Sequence, residues 1–75
     1  MVSVKIFGLL RLDSGIKALE LQGKTVGQVL SALPPELDRK QIKRCTLLVN
    51  GKAATARTKL NEGDELIILS PVAGG

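Results

Sequence analysis

Histidine, tryptophan and tyrosine are all missing from these 75 residues, and only one phenylalanine, Phe7, and one cysteine, Cys45, occur. Without imidazole there can be no Ser-His-Asp triad, no Cys-His dyad and no histidine-ligated metal site. A self-contained hydrolase or metalloenzyme is therefore not expected, and no metal ligands are assigned. One cysteine cannot close an internal disulfide, which suits a reducing compartment. The shortage of aromatics removes the stacking platforms used to bind single-stranded nucleic acid. No apolar run approaches the about 20 residues of a membrane helix. The N-terminus alternates polar with apolar residues, unlike the basic and then apolar stretches of a targeting segment. The expectation is a cytoplasmic protein with neither membrane nor nucleic acid as partner.

What remains is ordinary for a folded domain: 44% hydrophobic and 24% charged residues. A chain this short closes one small core, so function is expected on the surface or at an end. The net charge is +4, from 11 Lys and Arg against 7 Asp and Glu. Its densest basic stretch is Arg39-Lys40-Gln41-Ile42-Lys43-Arg44. Such a run suits a solvated face or a docking patch for an acidic partner. Cys45 has two readings: a nucleophile whose thiolate Lys43 and Arg44 would favour, or a small hydrophobe entering a strand.

Val2, Val4 and Ile6 alternate with Ser3, Lys5 and Phe7, the period of a half-buried strand. Residues 8–15 read as a connecting loop, and 16–21 as a second strand. Thr25 can cap the N–H of Gln28 while Gln28 reaches back, a capping box, and Val26, Val29, Leu30 and Leu33 then share one helical face. Pro34-Pro35 stops that helix. Residues 36–44 suggest a short helical turn anchored by Leu37 and Ile42. A third strand spans 46–49, Asn50-Gly51 is a two-residue hairpin signal, a short fourth strand spans 52–55, and a last strand spans 65–69. This order predicts an α+β fold: a β-grasp (ubiquitin-like) roll with a mixed sheet of four to five strands and one main helix across one face. The first and last strands are expected side by side, parallel, at its centre.

The expected division is a domain of residues 1–70 and a flexible tail of residues 71–75. Pro71 ends the last strand, and Val72, Ala73, Gly74 and Gly75 carry neither charge nor bulk. Gly-Gly occurs by chance at about one C-terminus in 200, and floppy ends favour small residues. A slender segment of this kind is also suited to thread a narrow channel and present the Gly75 carboxylate in a partner's active site. Besides this, Leu47-Leu48-Val49 and Leu66-Ile67-Ile68-Leu69 are apolar on both parities, although one covering helix needs only one apolar face. Phe7, Ile67 and Leu69 then mark a docking patch on the opposite face, or simply the preference of central strands for branched aliphatics.

Val4-Lys5-Ile6-Phe7-Gly8 with Arg11 and Gly15, Val49-Asn50-Gly51, Leu60-Asn61-Glu62-Gly63-Asp64-Glu65-Leu66 and Pro71-Val72-Ala73-Gly74-Gly75 together resemble the sulfur-carrier family of ubiquitin-like proteins, most of all the small subunit of molybdopterin synthase. The resemblance implies a chain that is not catalytic alone. An adenylating activating enzyme, using ATP and magnesium, would charge the Gly75 carboxylate, which would then become a thiocarboxylate; this chain itself would bind no cofactor. It further implies a hetero-oligomer with the large catalytic subunit of molybdopterin synthase. Pro71, Val72, Ala73 and Gly74 would thread that subunit's active site so that sulfur passes to a pterin precursor in molybdenum or tungsten cofactor biosynthesis. Phe7, Arg11, Ile67 and Leu69 would dock, Arg11 having a second reading as a solvated loop residue. The alternatives within the resemblance are a sulfur carrier for thiamin thiazole synthesis and a modifier joined to lysines through Gly75. Ser70 departs from the family pattern, standing where many members carry another proline, and Ile68 and Leu69 replace frequent aromatics.

Overall fold

The computed structural model describes residues 1–70. Its elements in chain order are β1 (Val2–Phe7), α1 (Leu9–Ser14), β2 (Ala18–Leu21), α2 (Val26–Ser31), α3 (Arg39–Ile42), β3 (Thr46–Val49), β4 (Lys52–Ala53) and β5 (Glu65–Leu69). The five strands form one sheet in the order β2-β1-β5-β3-β4. β1 and β5 run parallel, with Val4 opposite Leu66 and Phe7 opposite Leu69, and the other pairs are antiparallel. This is the β-grasp arrangement that the element order predicts.

One face of the sheet buries Val2, Val4 and Ile6 of β1 and Leu66 and Ile68 of β5. Against them pack Leu10 of α1, Val26 and Val29 of α2, Ile42 of α3, and Leu33, Leu37 and Leu60. A single main helix is not the whole cover. Six residues of α2 extend about 9 Å, whereas five strands span about 19 Å from first to last. The three short helices share the task.

The start of α2 is satisfied on every side. The Gln28 N–H donates to Thr25 Oγ1 (3.2 Å), Val26 N–H to Thr58 O (2.9 Å) and Gly27 N–H to Ala56 O (2.9 Å). These bonds occupy donors that a helix N-terminus leaves open. The capping box is displaced by one residue: Gln28 Oε1 accepts from the Lys24 N–H at 2.8 Å, not from that of Thr25. Thr25 is itself engaged in an antiparallel bridge with Lys59.

Two further expectations are corrected. Residues 8–15 hold α1, not a loop, and the second strand begins at Ala18 rather than Ile16. The expected signals for α1 are weak because its N-cap residue, Gly8, offers no side-chain cap. Its cap arrives from sixty positions away, where Ser70 Oγ accepts the Leu10 N–H at 2.9 Å. The hairpin at Asn50-Gly51 is as expected, with φ of 51° and 84°, both in the left-handed region that a type I′ turn requires. β4 is shorter than the expected 52–55.

A polar clip joins that hairpin to the loop before β5. Asp64 accepts the Asn61 N–H (2.8 Å) and the Asn50 side-chain amide (3.0 Å), while Asn50 Oδ1 accepts the Glu65 N–H (3.0 Å). The bond from Asn61 and then that from Asn50 hold the Asp64 carboxyl below its usual range. A carboxylate whose folded-state pKa is depressed stabilises the fold above the unfolded pKa, and that contribution is lost as pH falls through the folded value. Asp64→Ala is thus expected to lower the melting temperature at pH 7, and the difference from the native chain is expected to shrink below about pH 4. Thermal unfolding followed by circular dichroism across pH 2.5 to 7, as about the range that brackets carboxylate titration, checks this.

Candidate functional site

Parallel pairing of β1 with β5 places the end of each strand at the same end of the sheet, so Phe7 and Leu69 sit opposite one another. Both are exposed, at 37% and 41%. Their parity directs them away from the helices, and the face they share continues inward through Ile67, which is half-buried and lies opposite Lys5 on one side and Leu48 on the other. Ala53 of β4 pairs with Leu48 and extends the row. The Lys5 ammonium meets the Glu65 carboxylate at 2.9 Å beside the apolar centre. An exposed pair of this kind contributes at most about 1 kcal/mol.

The patch extends beyond the sheet. α1 leaves β1 directly after Phe7 and Gly8, and it displays Leu9 and Leu12, the latter 76% exposed. Arg11 lies on α1, partly exposed, rather than in a loop. Phe7 and Leu69 lie at the end of the sheet beside Ser70, whose N–H donates to Phe7 O at 3.0 Å, and Leu9 and Leu12 are exposed on the neighbouring α1. An apolar group of this size on a small domain marks an interaction surface.

Phe7, Ile67 and Leu69 share the face of the sheet turned away from the helices, and Arg11 lies on α1. Pro71, Val72, Ala73, Gly74 and Gly75 lie outside the described residues. Leu9, Leu12, Leu48 and Ser70 are additional members. Leu48 was readable from its parity, which is that of Ile67 once β3 and β5 are aligned. The leucines of α1 were not, because their significance depends on a helix that the local sequence does not announce.

The remaining surface offers little chemistry. A depression of about 500 Å³ lies at the other end of β1, lined by Met1, Gln22, Lys24, Gln28 and Glu62 among others. No thiol, hydroxyl or imidazole lines it. Cys45 is half-buried, its thiol donates to Gln41 O at 3.2 Å, and burial pushes its pKa up. Of its two readings the hydrophobe entering a strand holds, since a raised pKa suppresses the thiolate. Among the described residues no group of three metal-ligating side chains occurs, and no helix is long and apolar enough to cross a membrane. Arg39, Lys40, Lys43 and Arg44 are exposed on and just after α3.

Comparison with known proteins places these features in context. The model of the ThiS family matches residues 4–75. No curated protein matches the chain by sequence. Among solved structures, SAMP1 from Haloferax volcanii superposes with a TM-score of 0.80 at 30% identity, over 99% of this chain and 98% of that one. A chain of the BexX/CysO complex of Amycolatopsis orientalis gives a TM-score of 0.76 at 25% identity, with both chains covered completely. A chain of the complex of subunits 1 and 2 of the molybdopterin-converting factor of Helicobacter pylori shares the fold, with a TM-score of 0.75 at 22% identity over 99% of this chain and 97% of that one.

The two faces of β1 differ in what substitution should cost. Ile6 is fully buried, so Ile6→Ala is expected to destabilise by about 3 kcal/mol. Phe7→Glu, on the open face, is expected to cost less than about 1 kcal/mol. Urea unfolding of the two variants measures both; a Phe7→Glu loss as large as that of Ile6→Ala would place Phe7 in the core.

Proposed function

This chain belongs to the ThiS family of ubiquitin-like sulfur carriers, and on that premise we propose that it carries sulfur on the carboxyl group of Gly75 and delivers it to a pterin precursor in molybdopterin biosynthesis. The observation that carries this reading is the juxtaposition at the end of the sheet. The residue that precedes the Pro71–Gly75 segment is fixed beside an exposed apolar face containing Phe7 and Leu69, so a partner that docks on the face receives the segment at the same time.

The chemistry explains why the chain needs no catalytic side chains of its own. A carboxylate is a poor electrophile. In the proposed sequence a Gly75 carboxylate oxygen attacks the α-phosphorus of ATP and pyrophosphate leaves, giving an acyl adenylate. A hydrosulfide-equivalent nucleophile supplied by a partner then adds to the carbonyl carbon, and AMP departs with the bonding pair, leaving a thiocarboxylate. ATP, magnesium and the sulfur source belong to the adenylating partner. The large subunit of molybdopterin synthase is the proposed acceptor of the charged segment. Support for partners of this kind comes from relatives that form complexes with other proteins, BexX with CysO and subunit 2 with subunit 1 of the converting factor. Phe7, Ile67 and Leu69, with Leu9 and Leu12, would supply the buried apolar contacts, and Arg11 a polar one at the rim.

A second reading is favoured by the 30% identity to SAMP1, a small archaeal modifier protein. A modifier would be joined through Gly75 to lysine side-chain amino groups of other proteins. Mass spectrometry of the chain isolated from its native cell separates the two. A carrier is expected as a free chain in which sulfur replaces one terminal oxygen, and a modifier as isopeptide conjugates. A chain matured to another last residue, or always unmodified, would overturn both.

Two variants extend the test. One residue added after Gly75 is expected to abolish sulfur transfer while leaving the circular dichroism spectrum and melting temperature unchanged, because the reacting group is displaced and the core is not. Phe7→Glu is expected to weaken partner binding by about 2 kcal/mol, the cost typical of losing a buried aromatic anchor. Titration calorimetry with the purified large subunit measures it.

A further inference from the structure

Arg39, Lys40, Lys43 and Arg44 are all exposed, and these four side chains equal the chain's whole excess of positive charge, +4. Among the described residues the ion pairs join the N-terminal ammonium to Glu62 and Lys5 to Glu65, so none of the four cations is paired with a carboxylate. The nearest acids in sequence are Glu36 and Asp38, and the Asp38 carboxylate accepts the Lys40 N–H at 2.8 Å as the cap of α3. Lys43 follows Arg39 by four positions and Lys40 by three, spacings at which like charges on a helix repel. The fold gains nothing from that repulsion. Two depressions adjoin the cations. A mainly apolar one of about 150 Å³ is lined by Leu30 and Ile42 together with Ser31, Arg39 and Lys43. The other is lined by Leu33, Pro35 and Leu37 together with Asp38, Arg39 and Lys40. Arg39 borders both, and its Nη2 donates to Ser31 O at 3.2 Å, which fixes the guanidinium at the end of α2.

We infer that the corner formed by α3 and the end of α2 is a second docking surface, and that its occupant is an acidic peptide segment of a partner protein that carries aliphatic side chains. Carboxylates of such a segment pair with cations that have no acid of their own, and its aliphatic groups fill the depressions beside them. An aliphatic cavity of about 150 Å³ holds a molecule the size of benzene, so a leucine side chain fits. The apolar lining is what separates a peptide from a phosphate backbone, which has no group to place there. Stacking of bases is excluded as well, because the sole aromatic residue, Phe7, belongs to the opposite face of the sheet. α2 and α3 cover the face that buries Val4 and Ile6, whereas Phe7, Ile67 and Leu69 lie on the other. Both surfaces can therefore be occupied at once. Occupation of the corner is independent of the chemistry proposed for Gly75.

The test is a titration of the full, isotope-labelled chain with a synthetic peptide of glutamates that carries two leucines, followed by NMR. The amide signals of Ser31, Arg39 and Lys43 are expected to shift, and those of Ile67 and Leu69 to stay. Lys40→Glu combined with Lys43→Glu is expected to raise Kd at least about tenfold at low salt. The melting temperature of this double variant is expected to be no lower than that of the native chain, since neither ammonium is paired among the described residues. Lys17→Glu, at an exposed lysine beside β2, is expected to change Kd by less than about twofold, the scale of a distant charge screened by salt. A peptide with serines in place of the leucines is expected to bind about tenfold more weakly. An oligothymidylate of equal charge is expected to bind more weakly than the leucine peptide. Absence of binding, shifts confined to the face of Ile67 and Leu69, or a Kd insensitive to the double variant would overturn the inference. So would a Lys17→Glu effect as large as that of the double variant, or a serine peptide as tight as the leucine one. An oligothymidylate that binds as tightly would assign the corner to nucleic acid and overturn it too. Each of these outcomes leaves the carrier reading intact.

Discussion

Parallel pairing of β1 with β5 at the middle of the sheet is the constraint on which the rest depends. Strands far apart in sequence meet in register, Ser3 against Glu65 through Phe7 against Leu69, and the loop-closure entropy of that meeting is offset by burying Val4, Ile6, Leu66 and Ile68 on one face. Because the pairing is parallel, both strands finish at the same end. That alone brings Phe7, Leu69, the start of α1 and Ser70 into one neighbourhood. An antiparallel pairing of the same two segments would have buried equally apolar side chains and sent the chain off at the opposite end, away from Phe7.

The two faces of the sheet divide the labour. The covered face is closed by three short helices, none of them long enough to do so alone, and it holds the fold together. The open face holds paired charge in Lys5 and Glu65 and apolar surface in Phe7, Ile67, Leu48 and Leu69. Among the described residues no group of three metal-ligating side chains occurs, and burial pushes the Cys45 thiol pKa up. The proposed function places the chemistry on the backbone terminus, with the activating groups on partners. A scaffold of this size has room for an interaction surface.

Much of this was legible from sequence, and the reasons are specific. Strict alternation in Val2 to Phe7 gave both the strand and its parity, because a strand's side chains have a period of two whatever surrounds them. Asn50-Gly51 announced its hairpin through backbone angles few other pairs adopt. Phe7 and Leu69 followed as outward residues once the covered face was assigned. α1 and Ser70 did not follow. A six-residue helix has little propensity signal of its own, and here its cap is supplied by the hydroxyl of Ser70, a residue sixty positions away.

By itself, then, the amino-acid sequence determined the order of the strands, the position of α2 among them and the exclusion of histidine-dependent chemistry, along with the family resemblance carried by Gly8, Asn50-Gly51, Gly63-Asp64-Glu65 and the terminal glycines. Those properties rest on local periodicity, on backbone preference and on which functional groups exist, and each is readable within a few residues. Only the tertiary structure decided that α1 forms, that it leaves Leu9 and Leu12 exposed, and that the Ser70 hydroxyl bonds both Phe7 and Leu10. A hydrogen bond between residues sixty apart exists only after the β1–β5 pairing has brought them together, and no local window contains it.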